Sequence, residues 1–91
     1  MTPEQITLAT TTATQADIAT LARMVSSDWR KPYFGAVPYL DAMHSLSKIT
    51  DMFGADDARS IVTYFLSNAT TWRGDVARIV KKELNQRIKS R

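Results

Sequence analysis

Ninety-one residues, 44% of them hydrophobic and 23% charged, are enough for one folded domain spanning residues 1–91 and too few for a second. This composition excludes disordered and collagen-like chains, and the lack of cysteine excludes disulfides, thiolate metal sites and a cysteine nucleophile. The formal net charge of +3 is unevenly distributed, because residues 1–72 carry five bases and seven acids whereas residues 73–91 carry seven bases and two acids.

The first segment, residues 1–14, begins like a helix and then loses helical character. Thr2 is a typical N-cap, Pro3 suits the first helical position, and Glu4 lies where the helix dipole favours an acid. The threonines that follow are β-branched and poor helix formers. We therefore expect at most one or two helical turns and then a weakly ordered connection. The segment has no basic residue and no apolar stretch, so we expect no signal peptide and a cytoplasmic protein.

Apolar spacing predicts a first main helix over about residues 15–29. Thr14 is the expected N-cap, and Asp17 three residues later would complete a capping box. The apolar residues that recur at helical spacing are Ile18, Leu21, Ala22, Val25 and Trp29. Pro32 ends this helix, because the residue before a proline avoids the α region, and residues 30–37 are predicted to form a loop.

Two further helices are predicted in the middle of the chain. Pro38 opens the second, over about residues 38–49, whose apolar face consists of Tyr39, Ala42, Met43, Leu46 and Ile49. Residues 50–54 form the next connection, with Gly54 as its turn residue. Asp56 and Asp57 begin the third helix, whose buried stripe is Ala58, Ile61, Val62, Phe65, Ala69 and Trp72.

The segment between Asn68 and Asp75 permits two structures. The apolar phase runs on without interruption, so helices 3 and 4 could form one continuous helix. A break is favoured, because Gly74 is a helix breaker and Thr70 or Thr71 could cap a new helix. Helix 4 then spans about residues 72–90. No segment shows the alternation of a strand, so the predicted class is all-α, a compact three- or four-helix bundle.

The segment from residue 28 to residue 39 is the preferred candidate for binding a protein partner. It concentrates four of the eight aromatic residues around a loop that contains Pro32 and Gly35. Aromatic and arginine side chains dominate binding hot spots, and proline stiffens the loop that presents them. The partner-binding candidates are Trp29, Arg30, Lys31, Tyr33, Phe34 and Tyr39. Alternatively, the rings of Trp29, Phe34 and Tyr39 plug the end of the bundle, which leaves Arg30, Lys31 and Tyr33 as the more exposed members.

No catalytic or metal site is predicted. His44 is the only histidine and has no partner at a ligand spacing, so it fits a surface or boundary position. Asp51, Asp56 and Asp57 fit helix capping better than a calcium loop. The phosphate-binding glycine motifs and the nucleophile elbow are absent from the sequence. We therefore expect no enzyme, no cofactor, no small-molecule substrate and no membrane-spanning helix.

The basic end of the chain supports an alternative, nucleic-acid binding. On a helical wheel Arg78, Lys82 and Lys89 lie opposite Val80 and Leu84, with Lys81 nearer the boundary. Such a stripe could attract phosphates. The solvated face of a surface helix is the favoured interpretation, because charge runs on helices usually face solvent. A helix-turn-helix made of helices 3 and 4 would use Arg73, Arg78, Lys81, Lys82 and Lys89, whereas one made of helices 2 and 3 would direct acids at phosphates.

Three runs of residues carry a resemblance to a known group of proteins: YFGAVPYLDAM at 33–43, YFLSNA at 64–69 and WRG at 72–74. Together they resemble small helical proteins of actinobacterial bacteriophages and related mobile elements. The resemblance covers about residues 29–88 and implies no particular functional residues. It implies a host-directed binder or regulator more than an enzyme. The leading hypothesis is thus a non-catalytic interaction or regulatory module that binds a protein and could also self-associate as a homodimer.

Overall fold

The computed structural model describes residues 1–90, which form five helices and one short β-hairpin. The elements in chain order are α1 (Pro3–Gln15), α2 (Ile18–Asp28), α3 (Val37–Met43), β1 (Met52–Phe53), β2 (Asp56–Asp57), α4 (Ala58–Ser67) and α5 (Asp75–Lys89). The chain is mainly helical and compact, as predicted, but residues 1–90 form five helices instead of three or four, and the all-α prediction did not include the hairpin. The radius of gyration of the chain, 12.3 Å, matches the value of about 12 Å expected for a compact domain of this length.

Helix α1 is longer than the sequence predicts. Thr2 and Gln5 form a reciprocal capping box, and the helix continues to Gln15. The prediction of at most two turns is wrong because α1 packs against α5, and tertiary packing outweighs the low helix propensity of threonine. Each of four threonine hydroxyls donates to the carbonyl four residues earlier and is thereby satisfied within the helix. These threonines are Thr7, Thr10, Thr11 and Thr14.

Helix α2 starts three residues later than predicted and is capped by a different residue. Asp17 is the N-cap, and its carboxylate accepts from the backbone N–H of Thr20. Thr14 cannot cap α2, because it lies within α1 and its hydroxyl bonds to Thr10. The apolar residues predicted for this helix, from Ile18 to Val25, are buried as expected.

Helix α3 ends at Met43, well before the predicted Ile49. After Met43 the chain turns, and the carbonyls of Leu46 and Ser47 cap α2 instead of continuing α3. They accept from the first two N–H groups of α2, those of Ala19 and Ile18, at 2.8 and 2.9 Å. Asp51 holds the turn, since its carboxylate accepts from the N–H groups of Ser47 and Lys48. Leu46 and Ile49 are nevertheless buried, as predicted.

A short hairpin, which the sequence does not predict, precedes α4. Met52 pairs with Asp57 and Phe53 with Asp56 in an antiparallel register, and the predicted turn residue Gly54 lies in the connecting turn. Asp57 is then the N-cap of α4, with its carboxylate accepting from the N–H of Ser60 at 2.7 Å.

The predicted break between the last two helices is confirmed. Helix α4 ends at Ser67, and α5 begins at Asp75 rather than at the predicted Trp72. Gly74 has a φ of 113°, a backbone conformation that residues with a Cβ rarely adopt. The glycine therefore ends the connection, whereas Trp72 lies before it with its side chain in the core.

One hydrophobic core joins all five helices. Helix α5 packs against α1, α2 and α4, while α3 packs against α2 and α4. Helices α1 and α5 run in the same direction, since the Met1 amino group lies 3.4 Å from the Asp75 carboxylate at one end and Arg87 reaches Ala16 at the other. The largest fully buried side chains are Phe65, Ile18, Leu21, Met43, Leu46, Leu84, Val25, Val62 and Val80.

Candidate interaction surfaces

The aromatic segment divides into rings that pack inward and rings that face solvent. Trp29 is half-buried and stacks on Trp72, with ring centroids 5.9 Å apart and planes at 11°. Phe65 meets both indoles edge-on. The Trp72 Nε1–H donates to the Asp28 carboxylate at 2.8 Å. Trp29 thus contributes mainly to the core beneath the loop.

The loop after α2 presents two aromatic and two basic side chains to solvent. Phe34 is 79% exposed and Tyr33 is 47% exposed, with their ring centroids 4.7 Å apart. Arg30 and Lys31 are also exposed. We call these four residues the outer loop surface. The sequence singled out all four, but the exposure of Phe34 runs against the alternative in which this ring plugs the bundle.

The outer loop surface is held in place from both sides. The Ala36 N–H donates to the Tyr33 carbonyl at 2.8 Å, and the Ala36 side chain is fully buried. A Cβ on Gly35 would lie 2.6 Å from the Tyr33 ring and 2.9 Å from the Asn68 side-chain oxygen. Only glycine permits this close approach without a shift, so the loop is fitted against the end of α4.

Tyr39 belongs to a second aromatic cluster, which it forms with Tyr64 of α4. Its ring centroid lies 5.5 Å from that of Tyr64, which is 53% exposed. Both tyrosines line a hollow of about 450 Å³ between α3, the hairpin and α4. We call it the aromatic hollow, and its lining residues are Pro38, Tyr39, Ala42, Phe53, Asp56, Ile61 and Tyr64.

Sequence reasoning missed Tyr64 and Phe53 as surface candidates. Tyr64 lies beside the buried Phe65 in α4, on the exposed side of the predicted stripe. Its position outside the apolar stripe could have predicted its exposure, because a side chain on the polar face of a helix points away from the core. Phe53 carried no such signal, since its orientation depends on a hairpin that the sequence does not reveal.

The exposed face of α5 carries cations and amides without a carboxylate. We call Arg78, Lys82, Asn85, Gln86 and Lys89 the basic stripe, and all five are exposed. Ala77, Val80 and Leu84 lie buried on the opposite side, as the helical wheel predicts. Arg78 is also paired with Asp75, which stands at the start of the helix. Arg73 is exposed in the connection that precedes α5.

Two other cations of α5 are occupied inside the fold. The Lys81 ammonium donates to the Trp72 carbonyl and lies 5.8 Å from the centre of its ring. Burial lowers the pKa of Lys81, and the neighbouring charge of Arg73 lowers it further. Arg87 pairs with Glu83 at 2.8 Å and donates to the carbonyls of Ala13, Thr14 and Ala16. Only some of the cations in residues 73–90 therefore face solvent.

His44 and the acidic residues have local roles. His44 is exposed, and its Nε2 lies 3.1 Å from the Ser26 hydroxyl. Hydrogen bonds from the Thr20 hydroxyl and backbone hold the pKa of Asp17 below its ordinary value, and bonds from the Ser60 backbone and hydroxyl do the same for Asp57. Within residues 1–90, no three histidine or carboxylate side chains are grouped so that they could hold a metal ion.

Comparisons with protein-family models, with curated proteins and with solved structures found no match for this chain. None of the helices in the described part of the chain combines the length and the apolar character that crossing a bilayer requires.

Proposed function

We propose that this protein is a non-catalytic interaction module that binds a protein partner through the outer loop surface. One observation carries the proposal: Phe34 is 79% exposed beside Tyr33, on a loop that its backbone and Gly35 fit against α4. Burying a pair of exposed rings against a partner is favourable, because it removes apolar surface from water. Rings in a well-packed loop also lose little conformational entropy on binding. Arg30 and Lys31 add charge at the rim, where it steers association.

The resemblance to small bacteriophage proteins supports a narrower version of this proposal. In that version the module is encoded by a phage or mobile element and binds a host protein in the cytoplasm as a regulator. The sequence runs that carry the resemblance include the loop residues Tyr33 and Phe34, so the same surface would serve the host-directed role.

Site-specific photo-crosslinking tests the outer loop surface. A photoreactive amino acid replaces Phe34 in one version of the protein and Thr11, which is exposed on α1, in another. Irradiation in cells that naturally express the protein should produce a discrete heavier adduct from position 34 and none of that mass from position 11. The double substitution Arg30→Glu and Lys31→Glu should weaken the adduct while the far-ultraviolet circular dichroism is unchanged.

Equal adducts from both positions, or an adduct that ignores Arg30→Glu and Lys31→Glu, would contradict the proposal. Self-association is tested separately by light scattering at high concentration. Mass that rises with concentration and falls back in the variant Phe34→Ala would place the same surface in a homodimer. A strict monomer would remove self-association from the proposal and leave the protein partner.

Nucleic-acid binding is a second candidate, favoured by three exposed cations, Arg78, Lys82 and Lys89, on the side of α5 that faces away from the core. The stripe extends from Arg78 to Lys89, about 16 Å along the helix. Residues 68–74 exceed the turn of about three or four residues in a helix-turn-helix. We therefore assign this candidate to backbone contact by Arg78, Lys82 and Lys89, with Arg73 beside them, rather than to that motif. Lys81 is left out, because its ammonium is bound to the Trp72 carbonyl.

Fluorescence anisotropy with short DNA and RNA, from about 50 to 200 mM salt, tests this candidate, because phosphate-driven binding weakens steeply over that range. The triple variant Arg78→Glu, Lys82→Glu and Lys89→Glu should abolish binding. The control Arg30→Glu, Lys31→Glu and Lys48→Glu changes the net charge equally and should retain it. Equal loss in both variants would indicate net charge alone, and no binding at the lowest salt would reject the candidate.

A further inference from the structure

The aromatic hollow lies on the α3, hairpin and α4 side of the molecule. Phe53 and Asp56 are directly opposite each other in the hairpin, so their side chains project from the same face of its two strands. Tyr39 from α3 and Tyr64 from α4 form another wall, with ring centroids 5.5 Å apart. The hollow of about 450 Å³ falls within the range of ligand pockets.

The lining combines three aromatic rings with one carboxylate and no basic residue. Asp56 is exposed, and no cation of residues 1–90 lies within 4.0 Å of its carboxylate. By contrast, the Asp57 carboxylate accepts a hydrogen bond from the Ser60 N–H as the N-cap of α4. Asp56 is therefore a negative charge beside three aromatic rings and is not committed to holding the hairpin or the helix.

We propose that the aromatic hollow binds an arginine side chain of the protein partner. A guanidinium is planar, stacks on aromatic faces and donates two parallel hydrogen bonds to a carboxylate. The hollow offers both kinds of contact. A phosphate or an acidic side chain would be repelled by Asp56, and a purely apolar side chain would leave the Asp56 carboxylate facing it without compensation.

This inference rests on the proposed function for the origin of the arginine, but its site is separate from the outer loop surface. The two surfaces are therefore tested by different variants. Phe34→Ala and Tyr33→Ala would remove the partner contact at the loop and leave arginine binding in the hollow intact. Asp56→Asn would weaken arginine binding without changing the outer loop surface.

Nuclear magnetic resonance titration with short blocked peptides measures the proposed binding. The probes are Gly-Arg-Gly, the same peptide with neutral citrulline in place of arginine, and Gly-Lys-Gly. The arginine peptide should shift the amide signals around Phe53, Asp56 and Tyr64 in a saturable manner, with an affinity in the millimolar range that suits so small a ligand. The citrulline peptide, which lacks the charge, should bind about tenfold more weakly.

Two variants locate the site. Asp56→Asn should weaken binding of the arginine peptide about tenfold, whereas Asp41→Asn, at an exposed position of α3 outside the hollow, should change it less than twofold. Tyr64→Leu should weaken binding about two- to fivefold, because it removes one aromatic face. The dispersed spectrum of each variant verifies that it is folded.

Three results would overturn the proposal. These are the absence of saturable shifts at tens of millimolar peptide, equal loss in Asp41→Asn and Asp56→Asn, and equal binding of the lysine and arginine peptides. Equal lysine binding would identify a general cation site in place of an arginine site. If the photo-crosslink at position 34 fails while the peptide titration succeeds, the outer loop surface is wrong and the hollow stands.

Discussion

Trp72 is the side chain on which most of the aromatic core depends. Its indole stacks on Trp29, meets Phe65 edge-on and donates its only N–H to Asp28. Lys81 covers the ring from another direction. The Asp28 carboxylate thus connects the end of α2 to the chain before α5. This hydrogen bond matters for stability, because a buried indole N–H without an acceptor costs the protein its full desolvation free energy.

Replacement of Asp28 tests this connection. Asp28→Ala should lower the free energy of unfolding by about 1–3 kcal/mol, since the Trp72 N–H is left without its charged acceptor. Urea denaturation followed by tryptophan fluorescence measures the change. Asp28→Asn, which keeps an acceptor, should cost less. In a Trp72→Phe background Asp28→Ala should cost little, and an undiminished loss there would show that Asp28 stabilises the fold in another way.

Two phenylalanines should differ strongly in how much stability the protein loses when each is replaced by alanine. Phe65 is fully buried, so Phe65→Ala should cost about 3–5 kcal/mol through lost burial and a new cavity. Phe34 is 79% exposed, so Phe34→Ala should change stability by less than about 0.5 kcal/mol. Thermal melting of both variants compares them directly. A large loss from Phe34→Ala would mean that the ring supports the fold and is not free for a partner.

At the scale of elements, arginines from one helix close the carboxyl ends of others. Arg87 of α5 donates to Ala13, Thr14 and Ala16, the last carbonyls at the end of α1. Arg59 of α4 donates in turn to Arg87 and Ile88 at the end of α5. Helix ends leave carbonyls unsatisfied and carry a partial negative charge. Each arginine meets both requirements and links two helices.

Arg87 should therefore be the most sensitive cation of α5. Arg87→Met should lower the free energy of unfolding by about 1.5–3 kcal/mol, because it removes charged donors from three carbonyls and the partner of Glu83. Lys89→Met, on the exposed side of the same helix, should change it by less than about 0.5 kcal/mol. Guanidinium denaturation measures both. Equal effects would mean that the helix ends do not depend on Arg87.

The aspartate caps predict how stability depends on pH. Hydrogen bonds from Thr20, from Lys48 and Ser47, and from Ser60 hold the pKa values of Asp17, Asp51 and Asp57, respectively, below the ordinary 3.8. The folded carboxylates thus bind protons less readily than the unfolded ones. Their contribution is complete above about pH 4–5 and is lost as pH falls through the lower folded pKa values.

Acid titration of the unfolding midpoint tests this dependence. The wild-type midpoint should fall as pH drops below about 4, and Asp57→Asn should flatten that fall, because asparagine still caps a helix but does not titrate. Asp56→Asn serves as the control, since Asp56 caps nothing. An equally steep fall in Asp57→Asn would show that the N-cap of α4 does not contribute to the acid dependence.

At the scale of the whole molecule, α5 makes the fold a single unit. It contacts α1, α2 and α4, and the core shared by all five helices is continuous. Small single-core domains usually unfold in one transition. The Met1 amino group also pairs with Asp75, which ties the start of α1 to the start of α5.

Unfolding should therefore be cooperative throughout. Far-ultraviolet circular dichroism, which follows every helix, and the fluorescence of Trp29 and Trp72 should report the same urea midpoint. Earlier loss of helical signal would mean that α1, with its exposed threonines and its single buried residue Ala13, opens before the core. In the variant Arg87→Met, which loses its hydrogen bonds to the end of α1, the helical signal should be lost at a lower urea concentration than the tryptophan fluorescence changes.

The patterns that depend on neighbouring residues were readable from the sequence, and the positions that depend on distant residues were not. The apolar faces of α2, α4 and α5 followed from helical spacing, as did the break at Gly74. The length of α1 and the end of α3 did not. The low helix propensity of threonine predicted a short α1, because it takes no account of the contacts that Arg87 of α5 makes with the end of α1. Nothing near Met43 in the sequence showed that the carbonyls of Leu46 and Ser47 would cap α2.

The sequence alone determined the mainly helical character and most of the core residues of α2, α4 and α5, because burial follows the period of the helix. Tertiary structure decided which chemistry remains accessible. It turned Trp29 inward against Trp72, occupied Lys81 and Arg87 within the fold, and brought Phe53 and Asp56 beside Tyr39 and Tyr64. These outcomes depend on contacts between residues far apart in the chain, and no local pattern of residues encodes which distant helix or hairpin a side chain will meet.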